Sequence, residues 1–289
     1  MNKKVSYAKL ENFVTKDSVN TAKHAIGNAA SLKLTNRLFS CVLAIIFFCP
    51  IIYVIGTGSS KMGTIPDDIH VISVSTAFAM GAFDKVVPLV TKFSLIMFAG
   101  FAILNVVPKK NLAYQLFSGT IFMSWFAVNL CVVTITMFWG ATLGGFGTVG
   151  FFLQLALVIY LIFMSLRNKI TGIKAQIFPK RVITEHKSYT WVLTLGVVLV
   201  TYMNHFLFKI GYANLSPTRI ELLTGWGLLI WGLIVIGCIN LIFKQVVLTF
   251  YFAKYAERFR VDLGFSNTKW YGNKKAQKIK RRKLRNKNK

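Results

Sequence analysis

Few ionisable residues of this chain lie inside an apolar segment, and these residues are the first candidates for a chemical function. Lys92 is the clearest case, because it lies within the apolar stretch 86–107. A charge at the centre of a bilayer costs about 2.5–3.5 kcal/mol on insertion scales, so an ionisable residue there is a functional candidate by default. Lys92 also lies close enough to one end of the stretch for its long side chain to reach the membrane interface. We therefore treat it as a candidate, with an interfacial cation as the alternative.

A second set of polar side chains lies at the ends of two later apolar stretches. His205 and its neighbour Asn204 fall inside 189–208, and Glu221 directly precedes 222–243. A histidine at such a position can bind a ligand, but it can equally form a hydrogen bond between helices, as asparagine commonly does in membranes. The carboxylate of Glu221 can simply stabilise a helix N-terminus. All three are candidates with a structural alternative.

The strongest local feature is a basic run near the end of the sequence. Residues 269–289 hold eleven lysines and arginines and no acidic residue, and we expect disorder beyond about residue 265. Next to anionic lipid each cation can contribute about 1 kcal/mol, and the same cations can also bind RNA phosphates. The residues predicted to contact lipid or nucleic acid are Lys274, Lys275, Lys278, Lys280, Arg281, Arg282, Lys283 and Arg285.

The sequence contains no motif typical of catalysis or of cofactor binding. It has no Walker-type phosphate loop, no H-E-x-x-H and no G-x-S-x-G, and no pair of carboxylates lies inside an apolar stretch. Carriers driven by protons or sodium ions usually need an intramembrane carboxylate. We therefore predict that the protein is not an enzyme, and that it has no catalytic residue, cofactor or metal site.

The elements that must position these residues are apolar segments of membrane length. The chain has 289 residues, of which 54% are hydrophobic and only 15% are charged, whereas soluble domains average about 25% charged. Crossing a bilayer takes about 20 predominantly apolar residues. We predict an all-α, polytopic integral membrane protein with six transmembrane helices, at about 38–55, 86–107, 112–139, 149–166, 189–208 and 222–243.

Two regions between these spans need separate interpretation. The apolar segment 71–83 is too short to cross the membrane and suits a re-entrant or interfacial helix. An alternative places a span at 69–90, which leaves 93–107 too short. The glycine-rich run 139–150 separates the third and fourth spans, and we interpret it as a tight turn.

The charges outside the spans predict the orientation. If both termini are cytoplasmic, 30 of the 35 lysines and arginines fall in cytoplasmic segments, which is the bias that orients membrane proteins. The predicted organisation is a basic cytoplasmic segment (1–37) with an alanine-rich face that suits an interfacial helix, a six-helix membrane domain (38–248), and a basic cytoplasmic tail (249–289).

Nearly uncharged spans favour a non-catalytic subunit for transport or translocation, of channel or permease type, that acts with a partner. The alternative is a membrane scaffold or assembly factor whose basic tail engages anionic lipid, a ribosome or another complex. The expected partners are anionic membrane lipids and either another protein or further copies of this chain, with contact to nucleic acid through the tail as a further option. The expected location is the cytoplasmic membrane of the cell.

Overall fold

The computed structural model of the protein describes residues 6–59, 61, 74–178, 190–209 and 225–287. Within these ranges the chain forms helices and no strand. Two short 3-10 helices, Tyr7–Lys9 and Gly27–Ala30, lie in the N-terminal segment. The longer helices are α1 (Lys16–Ile26), α2 (Leu34–Gly58), α3 (Val74–Gly81), α4 (Val87–Val106), α5 (Leu112–Val133), α6 (Ile135–Ile177), α7 (Thr190–Met203, continued by a π-helical turn to Phe208), α8 (Gly227–Lys254), α9 (Ala256–Asp262), α10 (Asn267–Tyr271) and α11 (Asn273–Lys287).

In the part of the chain that the structure describes, five helical segments are long and apolar enough to cross a membrane: Leu34–Gly58, Val87–Val106, Leu112–Ile177, Trp191–Phe208 and Gly227–Lys254. Many of their large apolar side chains point outward, and Leu89 and Leu241 are 70% and 76% exposed. Such a surface would be unfavourable in water and suits contact with lipid. The all-α prediction is confirmed, and α4 matches the first of the two interpretations of residues 69–107.

The longest apolar segment changes direction at Gly147, whose φ of 66° and ψ of −173° are not helical. The Leu228 amide donates to Thr142 Oγ1 at 2.8 Å, and Gln154 Nε2 donates to the Gly225 carbonyl at 3.1 Å. Thr142 and Gln154 therefore both contact the beginning of α8, although an unbroken helix would separate them by about 18 Å along its axis. The chain reverses at Gly147, within the glycine-rich run interpreted as a turn.

The parts of the chain before and after this turn run along α8 in opposite directions. At one end of α5 the rings of Phe117 and Phe250 are 5.9 Å apart, and near its other end the Cys131 carbonyl accepts from Trp231 Nε1 at 2.9 Å. Helix α5 is therefore antiparallel to α8. The arm after the turn, residues 148–177 of α6, is parallel to α8 and ends beside its C-terminal half.

The two ends of the described chain meet at the end of the bundle remote from Gly147. We call this region the base; it comprises residues 6–33, 107–116, 170–178 and 246–272. Its core includes Leu10 from the N-terminal segment and Ile177 from α6. Trp270 is fully buried there, with its ring 5.6 Å from that of Phe252. The base therefore joins both chain ends into one packed core.

Two sequence expectations for the chain ends differ from this arrangement. The sequence predicts an interfacial helix within residues 1–37, but the apolar side chains Val19, Ala22 and Ile26 of α1 are buried in the protein's own core. The sequence predicts disorder beyond about residue 265, but α10 and α11 occupy that region. Burial of Trp270 holds α10 in place, and α11 consists largely of good helix formers without glycine or proline.

Candidate functional site

Lys92 lies on the outward face of α4. Its side chain is exposed, as are its neighbours Leu89, Phe93 and Ile96, which are 62–70% exposed. Thr91, on another face of the same helix, is fully buried. Lys92 therefore faces the surroundings of the bundle and not its interior, as expected of a cation that reaches toward the interface.

His205 and Asn204 lie inside the protein near the turn at Gly147. They are 7% and 4% exposed and belong to the π-helical end of α7. The His205 imidazole meets the ring of Phe146 edge-on, with centroids 5.6 Å apart, and Phe146 also contacts Trp226 at 4.7 Å. This pair thus joins α7 to the turn and to the start of α8. Glu221, the third candidate near this end, lies outside the described residues.

The short helix α3 docks on the glycine-rich run. A Cβ on Gly140 would lie 2.9 Å from Met80 Cα, and one on Gly144 would lie 2.8 Å from Thr76 Cα. Small residues four positions apart let two helix backbones approach closely in a membrane. The run therefore both reverses the chain and binds α3, which gives it a packing role.

A group of buried polar side chains, which we call the polar junction, lies where the bundle meets the base. It consists of Arg37, Asn105 and Gln115, which are 4%, 1% and 0% exposed. Arg37 Nη1 donates to the Val107 carbonyl at 3.1 Å and to Gln115 Oε1 at 3.2 Å. The guanidinium is thus held by neutral oxygen atoms.

The amides of the polar junction extend these contacts to the N-terminal segment. Gln115 Nε2 donates to the Ala29 carbonyl and to Asn105 Oδ1, both at 2.9 Å, and Asn105 Nδ2 donates to the same carbonyl at 3.2 Å. Burial and the nearby charge of Arg37 also lower the pKa of Lys109 in the turn between α4 and α5. The junction ties the segment before α2, the start of α2, the end of α4 and the start of α5 together.

The pattern of the sequence does not predict this junction. Arg37 enters the predictions only as one of the basic residues that set the orientation, and Gln115 is not among the candidate residues. One signal was available: Asn105 and Gln115 lie at similar distances from the short turn at 107–111, so antiparallel helices bring them opposite each other. The partner of these amides, Ala29, could not be found in that way.

Residues Asn273–Lys287 of the basic tail form one helix, α11, which is attached to the base. Lys274, Lys278, Arg281 and Arg285 recur every three or four positions and therefore share one face of α11. They and the adjoining Lys275 and Arg282 are all exposed. We call these six residues the basic stripe.

Two further basic residues of the tail, Lys280 and Lys283, are not part of the basic stripe. The first turn of α11, by contrast, contacts the base. Lys280 is exposed outside the stripe, and the side chain of Lys283 lies outside the described part. Lys275 Nζ donates to the Lys110 carbonyl at 2.8 Å and lies 5.2 Å from the centroid of the Tyr271 ring. These contacts fasten the first turn of α11 to the base.

Among the described residues, no group of three histidine, cysteine, aspartate or glutamate side chains is placed to hold a metal ion. Comparison with protein-family models, curated proteins and solved structures gives no match. The interpretation of this protein therefore rests on its own geometry.

Proposed function

We propose that this protein is a non-catalytic, multi-pass subunit of a transport or translocation assembly, and that a partner docked on its base supplies the energy. The observation that carries the proposal is the contrast between the two parts of the molecule. None of the five membrane-length segments contains an aspartate or glutamate, so the usual coupling group of an ion-driven carrier is missing from them. The base, by contrast, is a packed platform that presents many cations.

For its topology we propose six crossings of the cytoplasmic membrane with both termini inside the cell. The reversal at Gly147 supports this count, because it divides the segment Leu112–Ile177 into two arms that run in opposite directions along α8. The described parts of the basic segments that the orientation rule assigns to the cytoplasm lie in and next to the base, which supports the orientation. A reporter fused after Lys289 should read cytoplasmic, and one inserted at Gly63 should read external. The reverse result at either position would contradict the topology.

Removal of the basic helix tests the functional proposal. The truncation should follow Gly272, because Trp270 is a fully buried part of the base and its loss would unfold the platform. The shortened chain and the full chain are purified from their own membranes in mild detergent, and the composition of the complexes is compared. A transport subunit that docks its partner on the folded base keeps the same complex after this truncation. A matched variant with Trp270→Ala should lose the complex.

A second candidate function is a membrane scaffold or assembly factor, and the basic stripe favours it. Six exposed cations on one helical face suit anionic lipid or a ribosome. This function predicts that truncation after Gly272 abolishes the association while the base remains folded. Loss of association in that variant, with an unchanged unfolding temperature, would therefore replace the transport proposal by the scaffold.

A further inference from the structure

A groove separates the second arm of α6 from α8 immediately beside the base. Its volume is about 590 Å³, and its walls come from one face of each helix. On α8 the lining residues Ile236, Asn240 and Lys244 follow each other at intervals of four. On α6 they extend from Leu161 to Gln176, which is about 22 Å along a helix axis.

The chemistry of the groove changes along its length in the same direction on both walls. Leu161, Met164 and Ile236 make the end nearer the middle of the bundle apolar, whereas the end toward the base carries Lys169 and Lys244. The change from apolar to basic residues has the same direction on both walls because α8 and the second arm of α6 run parallel. Half of a bilayer's hydrocarbon core is about 15 Å thick. The groove is therefore long enough for part of an acyl chain and a headgroup.

The polar end of the groove has the composition of an anion site. Lys169 and Lys244 supply two cations, and Asn168 and Asn240 supply amide donors. None of the residues that line the groove is acidic. Ammonium and amide groups donate to phosphate oxygens, and basic pockets between transmembrane helices on the cytoplasmic side bind anionic headgroups.

We propose that this groove binds one anionic phospholipid, with its phosphate between Lys169 and Lys244 and an acyl chain along Met164 and Ile236. This site is separate from the basic stripe on α11, which is exposed and has no apolar wall. The proposal depends on the membrane placement of the bundle and not on the proposed transport role. Failure of the lipid site would leave that role untouched.

The test uses the full chain in mild detergent, with native mass spectrometry to count retained phosphatidylglycerol and phosphatidylcholine. The wild-type chain should retain one phosphatidylglycerol in preference to phosphatidylcholine. The double variant Lys169→Gln/Lys244→Gln should weaken this retention at least about tenfold, since it removes both cations that face the phosphate. Lys174→Gln, which removes an exposed cation of α6 outside the groove, should leave it unchanged.

A second variant blocks the groove without removing a charge. A Cβ on Gly172, which lines the groove, meets no atom within 4 Å, and the same holds for Gly100 on α4. Gly172→Leu should therefore exclude the lipid while the fold persists, and Gly100→Leu should retain the lipid. Unfolding temperatures of both variants verify the fold. If the double lysine variant fails to fold, the comparison of Gly172→Leu with Gly100→Leu is sufficient to test the proposal.

Three results would overturn the proposal. The first is equal retention of phosphatidylglycerol by the wild-type chain and by Gly172→Leu. The second is equal retention of phosphatidylcholine and phosphatidylglycerol. The third is displacement of the lipid by an equal concentration of inorganic phosphate or glycerol phosphate, which would make the site one for a free phosphate. Retention of the lipid after the six residues of the basic stripe are replaced by glutamine would support the groove as the site.

Discussion

Arg37 is a cation held inside the protein by neutral oxygen atoms. Removing a guanidinium from water costs several kcal/mol unless its donors are satisfied. Part of the compensation comes from the Val107 carbonyl, which lies at the C-terminal end of α4, where the helix dipole is negative. The Lys109 ammonium donates to the Leu104 carbonyl at the same helix end, at 2.7 Å. Both cations therefore donate hydrogen bonds to carbonyl groups at the C-terminal end of α4.

Replacing Gln115 by leucine should destabilise the protein by about 1–3 kcal/mol or more, because a buried polar group left without its partner carries its full desolvation cost. The variant removes an acceptor from Arg37 and a donor from Ala29 and Asn105 at nearly constant side-chain volume. Denaturant unfolding in detergent measures the effect. Gln277→Leu, a change of an exposed amide, is the control.

The double variant Arg37→Met/Gln115→Leu makes the test specific for the polar junction. Since it removes the buried charge together with its acceptor, it should cost less than the two single changes added together. Strict additivity would show that Arg37 and Gln115 act independently and would contradict the assignment.

At the scale of single residues, spacing along the sequence is informative where neighbours along one helix determine the environment. Leu89, Phe93 and Ile96 share the exposed face of α4 with Lys92, so the position of Lys92 on an apolar outer face follows from spacing alone. Arg37 depends instead on Gln115, which is 78 positions away. Its burial follows from tertiary packing and has no local signature.

Helix α3 shows how a segment too short to span a membrane is held against the bundle. It meets the first arm of α6 through Gly140 and Gly144, where only the missing side chains allow the backbones to approach. In lipid such close packing is a main source of helix association. Gly140 and Gly144 thus hold α3 against the bundle, although α3 is too short to be positioned by crossing the membrane.

Gly140→Leu should release α3 from the bundle, because the new side chain would begin 2.9 Å from the Met80 backbone, which cannot move aside locally. The measurement is labelling of a cysteine introduced at Ala79, which is 6% exposed. A water-soluble maleimide should react slowly with Ala79→Cys alone and at least about tenfold faster when Gly140→Leu is added, as expected of local opening. Gly237→Leu, where a Cβ meets no atom within 4 Å, should leave the rate unchanged. Equal rates in all three chains would argue against the docking.

Among the helices, hydropathy predicts those that are long and apolar. It does not predict those that form by packing on other parts of the protein. The helices α4 and α8 follow from apolar length alone. The burial of α1 and the folding of α10 required the core of the base, which is assembled from both ends of the chain. In the sequence Trp270 and Tyr271 are the two aromatic residues of a basic run, and nothing local indicates that Phe252 is the partner of Trp270.

On the scale of the whole molecule, the base connects the N-terminal segment to the helices that follow α8. The Tyr7 hydroxyl donates to the Asp262 carboxylate, and its ring lies 4.7 Å from that of Phe259. Tyr271 donates in the same way to Glu257, at 3.0 Å. Phenol–carboxylate pairs thus connect both ends of α9 to other parts of the base. They also make the stability of the base depend on pH.

The pH dependence of the stability of the base can be tested at Tyr7, where the direction of the effect is known. Partial burial and the hydrogen bond to Asp262 raise the pKa of the Tyr7 phenol above its ordinary value of 10.0. The folded protein therefore holds this proton more tightly than the unfolded chain does. The resulting stabilisation is complete below pH 10 and is lost as the pH rises through the raised pKa of the folded state. Above about pH 10, Tyr7→Phe should flatten the alkaline decline in unfolding temperature, because phenylalanine has no proton to lose. Tyr53→Phe, at a 43% exposed tyrosine of α2 away from the base, should decline as the wild-type chain does. If Tyr7→Phe also followed the wild-type curve, the contact between Tyr7 and Asp262 would not contribute to holding the two chain ends together.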